Sequence, residues 1–421
     1  MIGNFFRKLA IVWADPGLRT RILFLIGAIA VFRFLAAIPI PGVNRFALDQ
    51  FFAQNQFLGL LNIFSGGGFS NVSIVLLGVG PYITASIIMQ LATVLFPRVK
   101  ALYSEEGETG RTQFTAISRM ITIPIAILQG VAFLSLLETQ GILDVLSPFQ
   151  FAVNVFLVAA GSILLMWIGE LITEFGIGNG VSLIIFSGIV ASIPGAVSQL
   201  LFTASAANIP AYLAFAAAAL AVTWSIVMMT EAERSIPIAY ARQVQGGAGA
   251  RTYLPIRLLQ AGVIPILFGL SLLLLPQMIL TGLAAVGVSG TTGLLAGYQR
   301  FAANPWAYGA AYFSLVVLFT FLYTSIIFEP KRVSDNLQKS GAFIPGVRPG
   351  RETESFVSTV VNRVTLPGGI FLGFIAVVPF IVQGVTGVTA VLVGGTALLI
   401  AVQVLVDLIR KVDSQVSLRE Y

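Results

Sequence analysis

The chain of 421 residues contains neither histidine nor cysteine. Zinc, haem and iron–sulfur ligation by those side chains are excluded, as are thiol nucleophiles, Ser-His-Asp triads and histidine proton relays. Glycine-rich stretches are the next place to look for chemistry. Gly246, Gly247 and Gly249 precede Arg251 without the Gly-Lys-Ser/Thr ending of a phosphate loop. Gly176, Gly178 and Gly180 lack dinucleotide spacing and a preceding strand, and mark a bend instead. Glu170 and Glu174 end an apolar stretch, and no carboxylate sits in the middle of one. An ion-coupled transporter would usually bury such a group. What remains is aliphatic spacing. Val79, Ile83 and Ile87 recur every four residues, and Val181 and Ile185 repeat the interval, which puts each set on one helical face. Read from the residues alone, these are bundle packing, lipid contact or the apolar constriction of a pore.

The elements that position those residues follow from composition. The chain is 57% hydrophobic and 10% charged, against roughly 25% charged in a soluble domain, so its natural solvent is a bilayer. Ten stretches reach the ~20 apolar residues that a spanning helix needs. They are 22–40, 72–96, 120–137, 151–168, 181–201, 211–229, 258–283, 306–328, 366–382 and 388–406. Sorting the connecting segments alternately to two sides puts 21 of the 24 Lys and Arg residues on the side of both termini. That segregation supports ten spans with both ends cytoplasmic, and it makes the +6 net charge a topology signal before a nucleic-acid one. Residues 5–13 read as a short interfacial helix. Arg33 lies inside the first span, either as a functional charge or snorkelling outward.

Ten spans divide into two sets of five, and odd halves enter the membrane in opposite senses, as in an inverted repeat. The reading is therefore all-α, a polytopic membrane protein of ten transmembrane helices in two inverted halves, 1–201 and 202–421. Gly78, Gly80 and Pro81 break the second span, which is tolerated only where protein or a water-filled cavity surrounds the backbone. Residues 51–70 before it are too short to cross and too apolar for an exposed loop, so they re-enter the bundle or lie at the interface. The basic-side loops 230–257 and 329–365 exceed what a bundle needs, either as docking surfaces or as plain solvated connectors. A solute transporter and a membrane enzyme remain open at this level beside a channel.

Five stretches go further: LLGVGPYITASIIMQL at 76–91, MWIGELITEFGIGNGVSLIIF at 166–186, AGVIPILF at 261–268, SDNLQKSGAFIPGVRPGRET at 334–353 and GGTALLI at 394–400. Through them the chain resembles the bacterial SecY family, the large subunit of the protein-conducting channel of the plasma (inner) membrane, over nearly its whole length. The resemblance implies a clamshell around an hourglass pore. That pore would be sealed by a ring at Val79, Ile83, Val181, Ile185, Leu267 and Ile400. Its plug would comprise Leu60, Leu61, Asn62, Ile63, Phe64, Ser65, Gly66, Gly67 and Gly68. A lateral gate between spans two and three and spans seven and eight maps to Thr84, Ile87, Gln90 and Leu275. Arg348 in the RPG stretch matches the family's basic docking position, and Arg242 and Arg251 are weaker matches because the QGGAGART tip departs from the family's more basic loop. The implied partners are SecE-like and SecG-like subunits, the SecA ATPase, the ribosome, signal sequences and unfolded preproteins, and membrane lipid. Catalysis, a cofactor, a metal and direct DNA binding are not implied.

Overall fold

The computed structural model describes residues 15–44, 47–48, 71–104, 107–144, 146–202, 209–240, 252–285, 288, 290–386 and 392–417. The segment 5–13, the plug positions Leu60 to Gly68, Arg242 and Arg251 lie outside the described residues. Helices dominate. In chain order they are α1 (Pro16–Ala37), α2 (Gly80–Leu95), α3 (Pro97–Ser104), α4 (Gly107–Thr139), α5 (Pro148–Phe175), α6 (Gly180–Phe202) and α7 (Ile209–Glu231). After the strands β1 (Glu233–Tyr240) and β2 (Thr252–Arg257) come α8 (Ile264–Ala285), α9 (Thr291–Ala303), α10 (Pro305–Ile327) and α11 (Pro330–Lys339). A two-residue strand β3 (Ala342–Phe343), α12 (Arg351–Thr386) and α13 (Leu392–Ser417) complete the order.

Local sequence explains many of these boundaries. Proline opens α1, α5, α10 and α11, at the position where a helix has no use for an N–H. Asp15, Ser147 and Asn304 cap three of them by accepting backbone N–H groups, and Ser147 with Gln150 forms a capping box. Pro97 forces Phe96 into an extended conformation, and α3 leaves α2 at 114°. By length and composition α1, α4, α5, α8, α10 and α12 each suffice to cross a bilayer, and α2 with its bent continuation makes a seventh. α6, α7 and α13 fall on the remaining three expected spans. The second span differs from expectation in where its helix begins. Residues 71–79 are a chain of turns and only Gly80 starts α2.

Packing closes the helices into a ring. α1 lies on α5, and α5 packs on α4 and α6. α4 meets α2 and α8, α8 meets α10, α10 meets α12, and α12 meets α13, which returns to α6 and α7. Two seams therefore join the first five spans to the last five: α2 and α4 against α8, and α6 against α13. One apolar core runs through the ring.

The two long loops are not separate connectors. β2, β1 and β3 form one antiparallel sheet in that order, with Ile236 opposite Leu254 and Ala239 opposite Phe343. Ile236, Ile256 and Ile344 bury themselves against Val357, Val361 and Val364, which share a face on the projecting first turns of α12. The described parts of the segments 230–257 and 329–365 thus fold together on the basic face.

Candidate functional site: an apolar seal beneath a polar vestibule

The seal is assembled around the broken second span. Gly78 sits at φ 57°, a conformation that favours glycine, and its carbonyl accepts a 2.8 Å hydrogen bond from Ser162 of α5. A Cβ at Gly161 would lie 2.0 Å from the Ile74 carbonyl oxygen, so only glycine lets the irregular chain lie this close to α5. Val72, Val75, Leu76, Leu77 and Val79 are all buried, so the non-helical backbone at membrane depth is enclosed in protein. The turn between α5 and α6 is fitted just as closely. A Cβ at Gly180 would stand 1.9 Å from the Gly169 oxygen, while Thr173 accepts from the Gly180 N–H at 2.9 Å and Asn179 accepts from the Ser182 N–H at 3.1 Å. These contacts start α6 and aim Val181 and Ile185 inward.

All six expected ring residues belong to the one continuous apolar core. Val79, Ile83, Ile185, Leu267 and Ile400 are each at most 5% exposed, and Val181 is half-buried. They arrive from the start of α2, from α6, from α8 and from α13. Above them on the basic face opens a cavity of about 450 Å³, whose wall includes Ile83, Val181 and Leu267 beside Gln90, Glu174 and the ion pair Arg119–Glu170 at 2.8 Å. A second cavity of about 240 Å³ adjoins it across Asn179, Ser182, Ile264 and Tyr323, and carries Gln260 and Gln403. The cavity wall therefore joins polar and charged side chains to aliphatic ones from the expected ring; if the ring is a constriction, its apolar side chains would exclude water there. Such a constriction holds back ions while its soft side chains can yield to a bulkier solute.

The expected gate residues divide between the two sides of one seam. Ile87 is buried on α2, and Thr84 bonds back to the Gly80 oxygen at 3.0 Å while Gln129 of α4 donates to it at 3.5 Å. Gln90 lies on the vestibule wall, and its buried amide oxygen has no hydrogen-bond partner among the described residues. Leu275 is half-buried on α8. A Cβ built at Gly282, two turns on, would meet Leu128 at 3.5 Å and the Ala132 Cβ at 4.0 Å, both on α4. Arg348 stands apart on the loop body, its side chain 87% exposed and 4.0 Å from Glu352. Arg33 reaches across to α6, where its guanidinium donates to the Ser187 carbonyl oxygen, and it lies 5.3 Å from the Phe32 ring centre.

Sequence reasoning missed Gly161, Ser162, Gln129 and the Arg119–Glu170 pair. Small or polar residues inside apolar helices were the available signal, because in membranes they mark close helix contacts.

Comparison with known proteins agrees with this geometry. The SecY family profile matches residues 73–409. The protein translocase subunits SecY of Mycobacterium bovis and Thermus thermophilus are each 40% identical to this chain over 96% of its length, covering 96% and 94% of their own. The fold is shared with a solved structure of a protein conducting channel, at a TM-score of 0.65 and 17% identity over 93% of this chain and 91% of that one. It is also shared with Sec61 in the canine ribosome–channel complex, at a TM-score of 0.62 and 17% identity with the same coverage. With the family profile spanning most of its length and full-length relatives at 40% identity, the chain belongs to the SecY family.

Proposed function

We propose that this protein is the central protein-conducting channel of the general secretory pathway, passing unfolded secretory chains across the membrane and releasing transmembrane segments sideways into lipid. The observation that carries the reading is the aliphatic cluster itself: six side chains from four separate elements join one core, and Ile83, Val181 and Leu267 among them line the cavity on the basic face. Halves 1–201 and 202–421 move as the two jaws, the seam of α8 with α2 and α4 is the sideways exit, and residues 60–68 are the plug. The channel performs no catalysis of its own. Energy comes from a SecA motor or a translating ribosome docked on the basic loop body, with exposed Arg348 as a principal contact and Arg242 and Arg251 as further contacts. SecE-like and SecG-like subunits accompany it in the plasma membrane of a bacterium, with both termini cytoplasmic.

The absence of native cysteine makes the test clean. With single cysteines at Ile83, Ile400 or Leu318, a secretory chain arrested in transit cross-links to the first two and much less to Leu318, which is 58% exposed on the outer surface of α10. Equal cross-linking at all three positions would remove the pore assignment. In the same vesicles Arg348→Glu lowers motor-driven transport while the channel still inserts; undiminished transport would refute the docking role.

A further inference from the structure

α8 packs on α9 and α10 with one face and on α4 with another. Pro276 interrupts it, so the Leu272 carbonyl loses its helical donor and the turn around residues 272–276 opens. At that turn the Tyr298 hydroxyl of α9 donates to the Leu273 carbonyl oxygen. Seven residues earlier the buried Tyr312 of α10 donates to the Ile266 oxygen at 3.3 Å. Its ring fills a notch in the same helix, since a Cβ at Gly269 would come within 3.3 Å of it. Positions 266 and 273 are two turns apart and share a face, whereas 275 and 282 share a face about 200° away around the helix. That second face carries Leu275 and meets α4 at Gly282.

We infer that Tyr298 and Tyr312 are positioning residues that clamp α8 to the second half through its main-chain carbonyls and so set where the α4–α8 seam rests and how readily it parts. The inference rests on reading that seam as the exit. Burial pushes the Tyr298 hydroxyl up to about 12, so it stays protonated and keeps its donor at physiological pH. The same neighbourhood supplies a control. Tyr308 packs in the same aromatic row, 5.9 Å from Phe301 and 5.3 Å from Phe380, but its buried hydroxyl has no hydrogen-bond partner. Replacing it with phenylalanine removes an oxygen and no bond.

The experiment uses the full chain in resting vesicles without substrate or motor, and reads the rate at which a small thiol reagent labels a single cysteine at Gly282. If labelling follows brief parting of the seam, Tyr298→Phe raises the rate about fivefold, the shift expected from losing one hydrogen bond. Tyr312→Phe raises it less, because 3.3 Å is long for a hydroxyl donor. Tyr308→Phe leaves it unchanged, and none of the three alters labelling of a cysteine at lipid-facing Leu318. An unchanged rate in Tyr298→Phe overturns the clamp, and so does an equal rise in Tyr308→Phe, because ring packing rather than the hydroxyl would then be responsible. No transported chain takes part, so this result is separate from the cross-linking outcome that tests the channel reading.

Discussion

The two seams of the ring are built from different materials. At the seam of α4 with α8 Gly282 faces Leu128 and Ala132, where even an added Cβ would make only ordinary van der Waals contact, and Gln129 of α4 bonds Thr84 of α2 on the first-half side. At the opposite seam, on the basic face, Leu18 of α1, Ile177 from the turn before α6 and Val416 of α13 form a separate buried cluster that joins the two halves, backed by Ile22, Leu408 and Val412. Near the same end of α13, Arg410 grips the end of α7 through Glu231 at 2.6 Å and the Thr230 oxygen at 3.0 Å. Dispersion adds up over many interdigitated atoms, so a cluster of branched side chains resists separation more than a glycine notch does. On the channel reading proposed above, the first seam is the one that parts and the second is the hinge.

The sharpest way to break that assignment is to fuse the first seam. A Cβ at Gly282 would lie 4.0 Å from the Ala132 Cβ, inside the range of about 3.5–4.5 Å for a disulfide. With no other cysteine to interfere, Ala132→Cys with Gly282→Cys should oxidise readily and reduce transport of secretory chains to background, with recovery on adding a reductant. Full transport with the bond demonstrably formed would show that this seam does not need to part.

Much of this architecture was legible in the sequence because it is local. Apolar length and the placement of Lys and Arg gave ten spans, and all ten fall on helices. The proline and glycine pattern located the break in the second span, though not that residues 71–79 would be wholly non-helical. Helix starts were legible in principle too, in Asp15-Pro16, Ser147-Pro148 and Asn304-Pro305, each a cap followed by proline. What stayed hidden depends on partners far along the chain. Ile236 and Ile238 alternate as a strand should, but that β1 would take its second neighbour from residues 342–343 is a long-range pairing that no local pattern encodes. Gly161 against Ile74 and Gln129 against Thr84 are invisible for the same reason: each residue type is ordinary, and only its neighbour gives it a role.

The contacts at this end of α13 can be weighed by removing in turn one that crosses to the first half and one that stays within the second. Leu18→Ala empties a fully buried site; much of the environment is already apolar, so packing loss dominates and the cost falls near the low end for such changes, about 2 kcal/mol. The purified channel should melt at a lower temperature, by an amount that salt does not alter. Arg410→Ala removes an ion pair whose side chains are 25% and 58% exposed. Water and salt screen such a pair, and its cost is about 1 kcal/mol or less, including the lost bond to the Thr230 oxygen. That loss should shrink as ionic strength rises. Neither variant should speed labelling of a cysteine at Gly282, because Leu18 sits at the seam that stays shut and Arg410 ties α13 to α7 within the second half. If Leu18→Ala left the melting temperature unchanged while Arg410→Ala lowered it strongly at high salt, the polar grip inside the second half, and not the apolar cluster between the halves, would be what holds this end of α13, and the cluster would lose its hinge role.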